Sequence, residues 1–243
     1  MEIKDEWFSE WFNTPYYREL YAHRSNEEAS EFISKLIKLL PAAPCKVLDV
    51  CCGNGRHSAV FVSNGYSVVG IDISSTSIEE AKERSLAQAR FEIADARDFS
   101  LDEQFCIAVN LFTSFGYFET REEHVAMLKR IYHHLNDGGS FVLDFFNATQ
   151  VIQSGCSHVV KESNGKTYTI DKAITCNRVE KRIEISMDEK SVDFKESVAL
   201  YTQSELVAML GEAGFTNVRV YGSYDMSDFN ENESDRCILV ANK

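Results

Sequence analysis

The chain has 243 residues and a formal net charge of −13, from 25 Lys and Arg against 38 Asp and Glu, enough for one large domain or two small ones. With 44% hydrophobic and 26% charged residues it has the composition of a folded globular chain, not of a disordered one. The acidic balance argues against a nucleic-acid backbone as main partner, because phosphates are held by clustered Lys and Arg, and the basic clusters here (Arg178 with Lys181 and Arg182; Lys129 with Arg130) are small and interleaved with acids.

The N-terminal forty residues carry a helical pattern, with Ala29, Phe32, Ile33, Leu36, Ile37 and Leu40 spaced three and four apart and Ser25 placed as N-cap. Pro41 and Pro44 end it. From Lys46 the period changes. KVLDV reads as a buried strand, CCGNG as a turn and RHSAVFVSNG as a helix closed by Gly65. SVVGIDIS is a second strand, SSTSIEEAKERSLAQA a capped helix, ARFEIADA a third strand and FCIAVNLF a fourth. A helix over 121–135, a turn at DGG and the strand SFVLDFF follow. Strands alternating with helices in this way imply a parallel sheet with crossover helices.

Over 159–201 the text turns antiparallel in character, with HVVKES, TYTIDKAIT and RIEISMDE joined by turns at NGK and CNR. QSELVAMLGEAG is then a helix ended by Gly214, and FTNVRVYG and RCILVAN are two last strands. The longest apolar runs, such as 107–112, fall well short of the ~18 residues of a membrane span. The acidic start MEIKDEWFSEWF lacks the basic end and apolar core of a secretory signal, so a soluble cytoplasmic protein is expected. The seven cysteines are odd in number and show no CxxC spacing, which indicates neither a disulfide framework nor a metal site; most are expected to be reduced core thiols. His57, His124, His133 and His134 read as helix-surface residues, and the acids over 225–235 as a solvated loop.

The strongest motif is the segment VLDVCCGNG, from Val47 to Gly55, followed by Arg56, where a first strand enters a first helix. Glycines there let the backbone approach a ligand at the strand end. A Walker loop is excluded, since no Gly-Lys-Ser/Thr follows and the GKT of Gly165 to Thr167 has Val160 where that motif needs its first glycine. A dinucleotide turn wants Gly or Ala at position 58, where Ser58 stands, and Arg56 and His57 crowd the place of a pyrophosphate. A ligand with a ribose and adenine but no phosphates fits better. Asp72, ending strand two, is placed to accept both ribose hydroxyls, and Asp95 in IADARDF to accept from the adenine amino group.

In these segments the sequence resembles the class I S-adenosylmethionine-dependent methyltransferases. VLDVCCGNG matches their first motif, GIDIS the second, and IADARDF and NLFTSFGYF the third and fourth, over 44–147. Cys51 stands where the family usually has Gly or Ala, which implies a slightly tighter cofactor loop. The resemblance implies a Rossmann-like α/β fold with a doubly wound, mostly parallel seven-stranded sheet and an antiparallel β insertion. It further implies a helical cap over 1–42, a cofactor-binding core over 43–150, an insertion over 159–201 serving as lid or dimer surface, and a C-terminal helix and two strands over 202–243.

By the same resemblance, S-adenosylmethionine contacts Tyr17, Tyr21, Arg24, Asp49, Cys51, Gly53, Gly55, Arg56, Asp72, Ile73, Asp95, Ala96, Asn110, Leu111 and Phe112. A small methyl acceptor is bordered by Tyr16, Phe115, Tyr117, Phe118, Asn147, Asp225 and Arg236. Arg24 holds the methionine carboxylate in this scheme, and no catalytic acid or base is assigned. The activated methyl needs positioning and a dry site more than it needs a base, so the expected activity is transfer to N or O of a small molecule. RNA methylation, NAD-dependent oxidoreduction and cofactor binding without turnover are the alternatives.

Overall fold

The computed structural model describes residues 6–22, 26–40, 45–187 and 190–243. Two short helices, α1 (Trp7–Trp11) and α2 (Pro15–Leu20), open the chain. Thr14 accepts a hydrogen bond from the Tyr17 N–H and Pro15 occupies the first turn of α2, so the missing proline donor costs nothing. In α3 (Asn26–Leu36) the spaced residues Ala29, Phe32, Ile33 and Leu36 are buried as expected. The Ser25 cap and the stops at Pro41 and Pro44 lie outside the described residues.

The alternation then runs β1 (Lys46–Val50), α4 (Arg56–Ser63), β2 (Ser67–Asp72), α5 (Ser75–Glu83), β3 (Ala89–Ile93), β4 (Phe105–Asn110), α6 (Arg121–His134) and β5 (Leu135–Phe146). After α7 (Ala148–Gln153) come β6 (Ser157–Ser163), β7 (Lys166–Thr175), β8 (Arg178–Met187) and β9 (Lys190–Ala199). The chain closes with α8 (Gln203–Ala213), β10 (Thr216–Tyr221) and β11 (Arg236–Asn242). The main sheet has seven strands in the order β10-β11-β5-β4-β1-β2-β3. β1 to β5 are parallel, and β11 inserts antiparallel between β5 and β10. The direction of the crossovers changes at β1, where β4 and β2 flank it on opposite sides. The first strand therefore ends at the crevice that favours ligands in open α/β sheets.

Both faces of the sheet are covered. α6 and α8 pack Leu128, Ile131, Leu206 and Leu210 against one face, and α3 and α4 pack Ile33, Leu36 and Phe61 against the other. The strands accordingly read as continuous apolar runs, not as alternating ones. The insertion is a separate antiparallel sheet in the order β6-β7-β8-β9, with turns at Asn164-Gly165 and Cys176-Asn177.

Four sequence expectations need correction. The helix after β2 ends at Glu83 rather than continuing towards Ala89; Ser85 has left-handed backbone, φ 51°, which breaks it, while Leu86 still packs against Ile78, Ala81 and Phe91. The turn at DGG is a bulge inside β5, with a register shift against β4 and a positive φ at Gly138. Cys45 and Cys106 form a disulfide across β1 and β4, and Cys156 and Cys176 are exposed. Three histidines are buried: His124 donates from Nδ1 to the Thr120 carbonyl and accepts at Nε2 from the Phe118 N–H, His134 packs on Phe99 and accepts at Nε2 from the Leu101 N–H, and His57 lines the cavity. Hydrogen bonds to local backbone let an imidazole occupy a core position. No helix among the described residues is long and apolar enough to cross a membrane.

Candidate active site

A cavity of about 620 Å³ opens over the ends of β1, β2 and β4, roofed by α1, α2 and the insertion sheet. Its floor is the turn after β1. Cys51, Gly53 and Gly55 all have left-handed backbone, with φ of 60°, 53° and 73°. This accounts for the glycine preference at position 51, since a side chain there is strained. The two glycines serve different ends. A Cβ on Gly53 would meet no protein atom within 4 Å, so that backbone faces open cavity. A Cβ on Gly55 would strike the Phe91 ring at 2.9 Å and Ala81 at 3.3 Å, so its bareness serves packing.

Asp72 holds the turn in place. Its Oδ2 accepts from the Gly53 N–H at 2.8 Å and its Oδ1 from the Ser74 N–H at 2.9 Å. Burial pushes its pKa up from the usual carboxylate value, and each oxygen keeps a further lone pair for a ligand. Asp49 is differently placed from the expectation. It lies beneath the turn, off the cavity wall, where its Oδ2 accepts from Ser58 Oγ at 2.5 Å. Burial raises its pKa to about 7. Ser58, the residue that disfavours a dinucleotide, is thereby fully buried.

Asp95 lines the cavity, but Arg97 grips both of its oxygens, at 2.6 and 3.0 Å, and extends to Glu6 and Glu123. Ile73 and Ala96 are on the wall, as are Arg56, Leu111 and Phe112, with the Arg56 guanidinium 4.9 Å from the centre of the Phe112 ring. Phe112 and Thr113 are two successive left-handed residues, φ 62° and 60°, and Asp144 accepts from the Phe112 N–H at 2.8 Å. Asn110 lies under this wall, not on it, and donates to the Val50 carbonyl at 3.0 Å.

Tyr17, Tyr21, Tyr117 and Phe118 reach the cavity, and the Tyr117 hydroxyl donates to the Thr113 carbonyl at 2.6 Å. Arg24 lies outside the described residues. Of the acceptor-side expectations, Tyr16, Phe115, Asn147 and Asp225 are off the wall. Tyr16 turns to Met187 and Phe194. Phe115 is core, against His124 and Phe145. Asn147 caps α7 and donates to the carbonyls of Glu231 and Ser234. Asp225 is exposed and pairs with Lys35. Arg236 is on the wall, with its guanidinium committed to Asp144.

Sequence reasoning missed several lining groups. Trp7, Phe8 and Phe12 join Tyr17 and Tyr117 in an edge-on aromatic stack; the aromatic density of WFSEWF was the available signal. Cys52 lies on the wall beside Cys51, and burial raises both thiols well above their usual range, so neither is a thiolate at neutral pH. From the insertion come Lys172, Val179, Lys181, Glu196 and Val198. Glu196 accepts from Trp11 Nε1 at 2.9 Å, Tyr21 Oη at 2.7 Å and Lys181 Nζ at 2.9 Å, which ties the roof sheet to the N-terminal helices. Among the described residues no cluster of His, Cys, Asp and Glu could hold a metal ion.

A family model described as a methyltransferase domain matches residues 47–139, the stretch from the first strand to the bulge in β5. Over that stretch the chain is similar to the methyltransferases, in keeping with the resemblance of its motifs to the class I S-adenosylmethionine-dependent family. Among solved structures, the chain superposes on an S-adenosylmethionine-dependent methyltransferase from Clostridium acetobutylicum ATCC 824 with a TM-score of 0.79, at 17% identity, over 93% of this chain and 95% of that one; that likeness concerns the fold. It is 26% identical to Streptomyces venezuelae DesVI, with a TM-score of 0.66 over 91% of this chain and 94% of that one. It is 32% identical over 126 residues to the dTDP-3-amino-3,4,6-trideoxy-alpha-D-glucopyranose N,N-dimethyltransferase of Streptomyces venezuelae, covering 51% of this chain and 53% of that protein. The chain spans about half the length of the curated relatives it matches first.

The residues present fit S-adenosylmethionine. The bare Gly53 backbone faces the cavity, a carboxylate stands at the end of β2, and aromatic rings face a ligand that would carry a sulfonium cation.

Proposed function

We propose that this protein transfers the methyl group of S-adenosylmethionine to the nitrogen of a small amine. The observation that carries the reading is the placement of Asp72 and the Gly53 turn on the floor of a cavity walled by aromatic residues of the N-terminal helices. When bound, S-adenosylmethionine supplies a methyl already activated by its sulfonium. The Gly53 turn and Ile73 hold the nucleoside, and Asp72 accepts from its ribose hydroxyls. Trp7, Phe8, Phe12 and Tyr17 exclude water and offer aromatic faces to the cation.

The acceptor lies towards Tyr117, Phe146 and the insertion sheet, which borders the remaining part of the cavity. An amine must arrive with its lone pair free, so the wall has only to orient it in line and keep the space dry. The relative's name, an N,N-dimethyltransferase of an amino sugar, supports nitrogen as the methylated atom. Labelled-methyl transfer to a panel of small amines tests the reading. Label appearing on an amine nitrogen, with S-adenosylhomocysteine released in equal amount, is expected. Label found only on RNA, or none with any amine while the cofactor binds, would contradict it.

A further inference from the structure

The inner face of the insertion sheet carries one rank of charged residues set among apolar neighbours. On β7, Lys172 stands between Ile170 and Ile174, which share its face of the strand; on β8, Lys181 stands between Val179 and Ile183; on β9, Glu196 stands between Phe194 and Val198. The register places Lys172 directly opposite Lys181, and Lys181 directly opposite Glu196. All three line the cavity. Glu196 is buried and needs its donors to offset desolvation, while Lys172 and Lys181 stay half-exposed at the cavity.

Glu196 has three donors, and its charge is balanced by Lys181 at 2.9 Å. Lys172 is the remaining charge. Its ammonium donates to Ser154 Oγ at 2.8 Å, and among the described residues no carboxylate lies within ion-pair distance of it. The other cations on the wall are matched: Arg18 with Glu80, Arg56 with Glu28 and Arg236 with Asp144. Two lysines directly opposite each other repel, and this pair is presented to a cavity in a chain of net charge −13. An anion between them would relieve the repulsion and complete the rank.

We infer that Lys172, with Lys181 beside it, docks an anionic group of the methyl acceptor, a carboxylate or a phosphate, so that the acceptor is an amine that also carries negative charge. The inference rests on the methyl-transfer reading for the identity of the ligand. Lys172 is then a specificity residue, acting through the acceptor's far end, and no proton or bond is exchanged there.

The test has two readouts. The first compares labelled-methyl transfer to three matched probes, glucosamine, glucosamine 6-phosphate and glycine, by wild type, Lys172→Met and Lys172→Arg. Turnover confined to the anionic probes is expected, with KM raised about tenfold or more in Lys172→Met, kcat little changed, and recovery in Lys172→Arg. The phosphate and carboxylate arms separate the two sources of charge. The second readout needs no turnover: inorganic phosphate and acetate are titrated into the protein saturated with S-adenosylhomocysteine. Saturable binding of one anion, weakened about tenfold or more by Lys172→Met, is expected. Equal use of glucosamine, or no anion binding that depends on Lys172, would overturn the inference. Failure of S-adenosylhomocysteine itself to bind would instead overturn the methyl-transfer reading.

Discussion

Arg236 and Asp144 form a charged pair inside the fold, at 2.6 and 2.9 Å, with the carboxylate entirely shielded from solvent. Asp144 also accepts from Tyr224 Oη at 3.2 Å and from the Phe112 N–H, and Arg236 donates to Thr113 Oγ1 at 2.9 Å. The pair therefore pins two successive left-handed residues that form a wall of the cavity. Replacing Arg236 by Met leaves a buried carboxylate without its counter-charge and should cost about 3–5 kcal/mol in urea denaturation. The double variant Asp144→Asn with Arg236→Met should be more stable than Arg236→Met alone, because the orphaned charge is gone while an acceptor for the Phe112 N–H remains. A double variant less stable than the single one would contradict this account.

The two turn glycines should fail in different ways. Gly53→Ala meets no protein atom and should lower stability by only about 1 kcal/mol, from its positive φ, while weakening S-adenosylhomocysteine binding about tenfold or more. Gly55→Ala adds a collision with Phe91 and Ala81 to the same backbone strain and should lower stability by about 2–4 kcal/mol. Thermal melting and calorimetric binding on both variants decide it. Equal loss of affinity at equal loss of stability would mean the turn is only a connection.

The sheet was legible because each βα step is local: apolar runs such as KVLDV and SVVGID, bounded by glycines and caps, are visible within ten residues. So was the loop chemistry at Gly53 and Asp72, which depends on position at a strand end. What escaped depends on contacts far apart in sequence. Asp49 and Asp72 look alike in the text, and only the packing of α4, which brings Ser58 under the turn, sends one inward and leaves the other on the wall. Asp144 interrupts the apolar SFVLDFF, a signal that went unread because its partner lies 92 residues away. The rank of Lys172, Lys181 and Glu196 exists only once the register of three strands is known.

Two buried groups should tilt the pH dependence of stability in opposite directions. Asp49 has its pKa raised by burial from 3.8 to about 7, so the folded state holds a proton that the unfolded chain releases, and stability is lost as pH rises through that window. Burial lowers the pKa of His124 from 6.5 to about 4, so the unfolded chain holds the proton and stability is lost as pH falls through that window. Between about pH 4 and 6.5 each contributes up to about 1.4 kcal/mol per pH unit, with opposite sign. Asp49→Asn should therefore make stability rise more steeply with pH than in wild type, and His124→Gln should make it rise less steeply or fall. Urea denaturation across that range checks both; three parallel curves would show that neither proton is taken up or released on folding.

In the proposed reading, the cavity over β1 and β2 holds S-adenosylmethionine through Asp72 and the Gly53 turn. Calorimetric titration of S-adenosylmethionine into wild type, Asp72→Asn and Asp72→Ala tests it most directly. One saturable site is expected in wild type, weakened by about 2 kcal/mol or more in Asp72→Ala, where the charged acceptor proposed for two hydroxyls and the anchor of the Gly53 N–H are lost together, with Asp72→Asn in between. No saturable binding to wild type, or an alanine variant that binds as tightly as wild type, would contradict it.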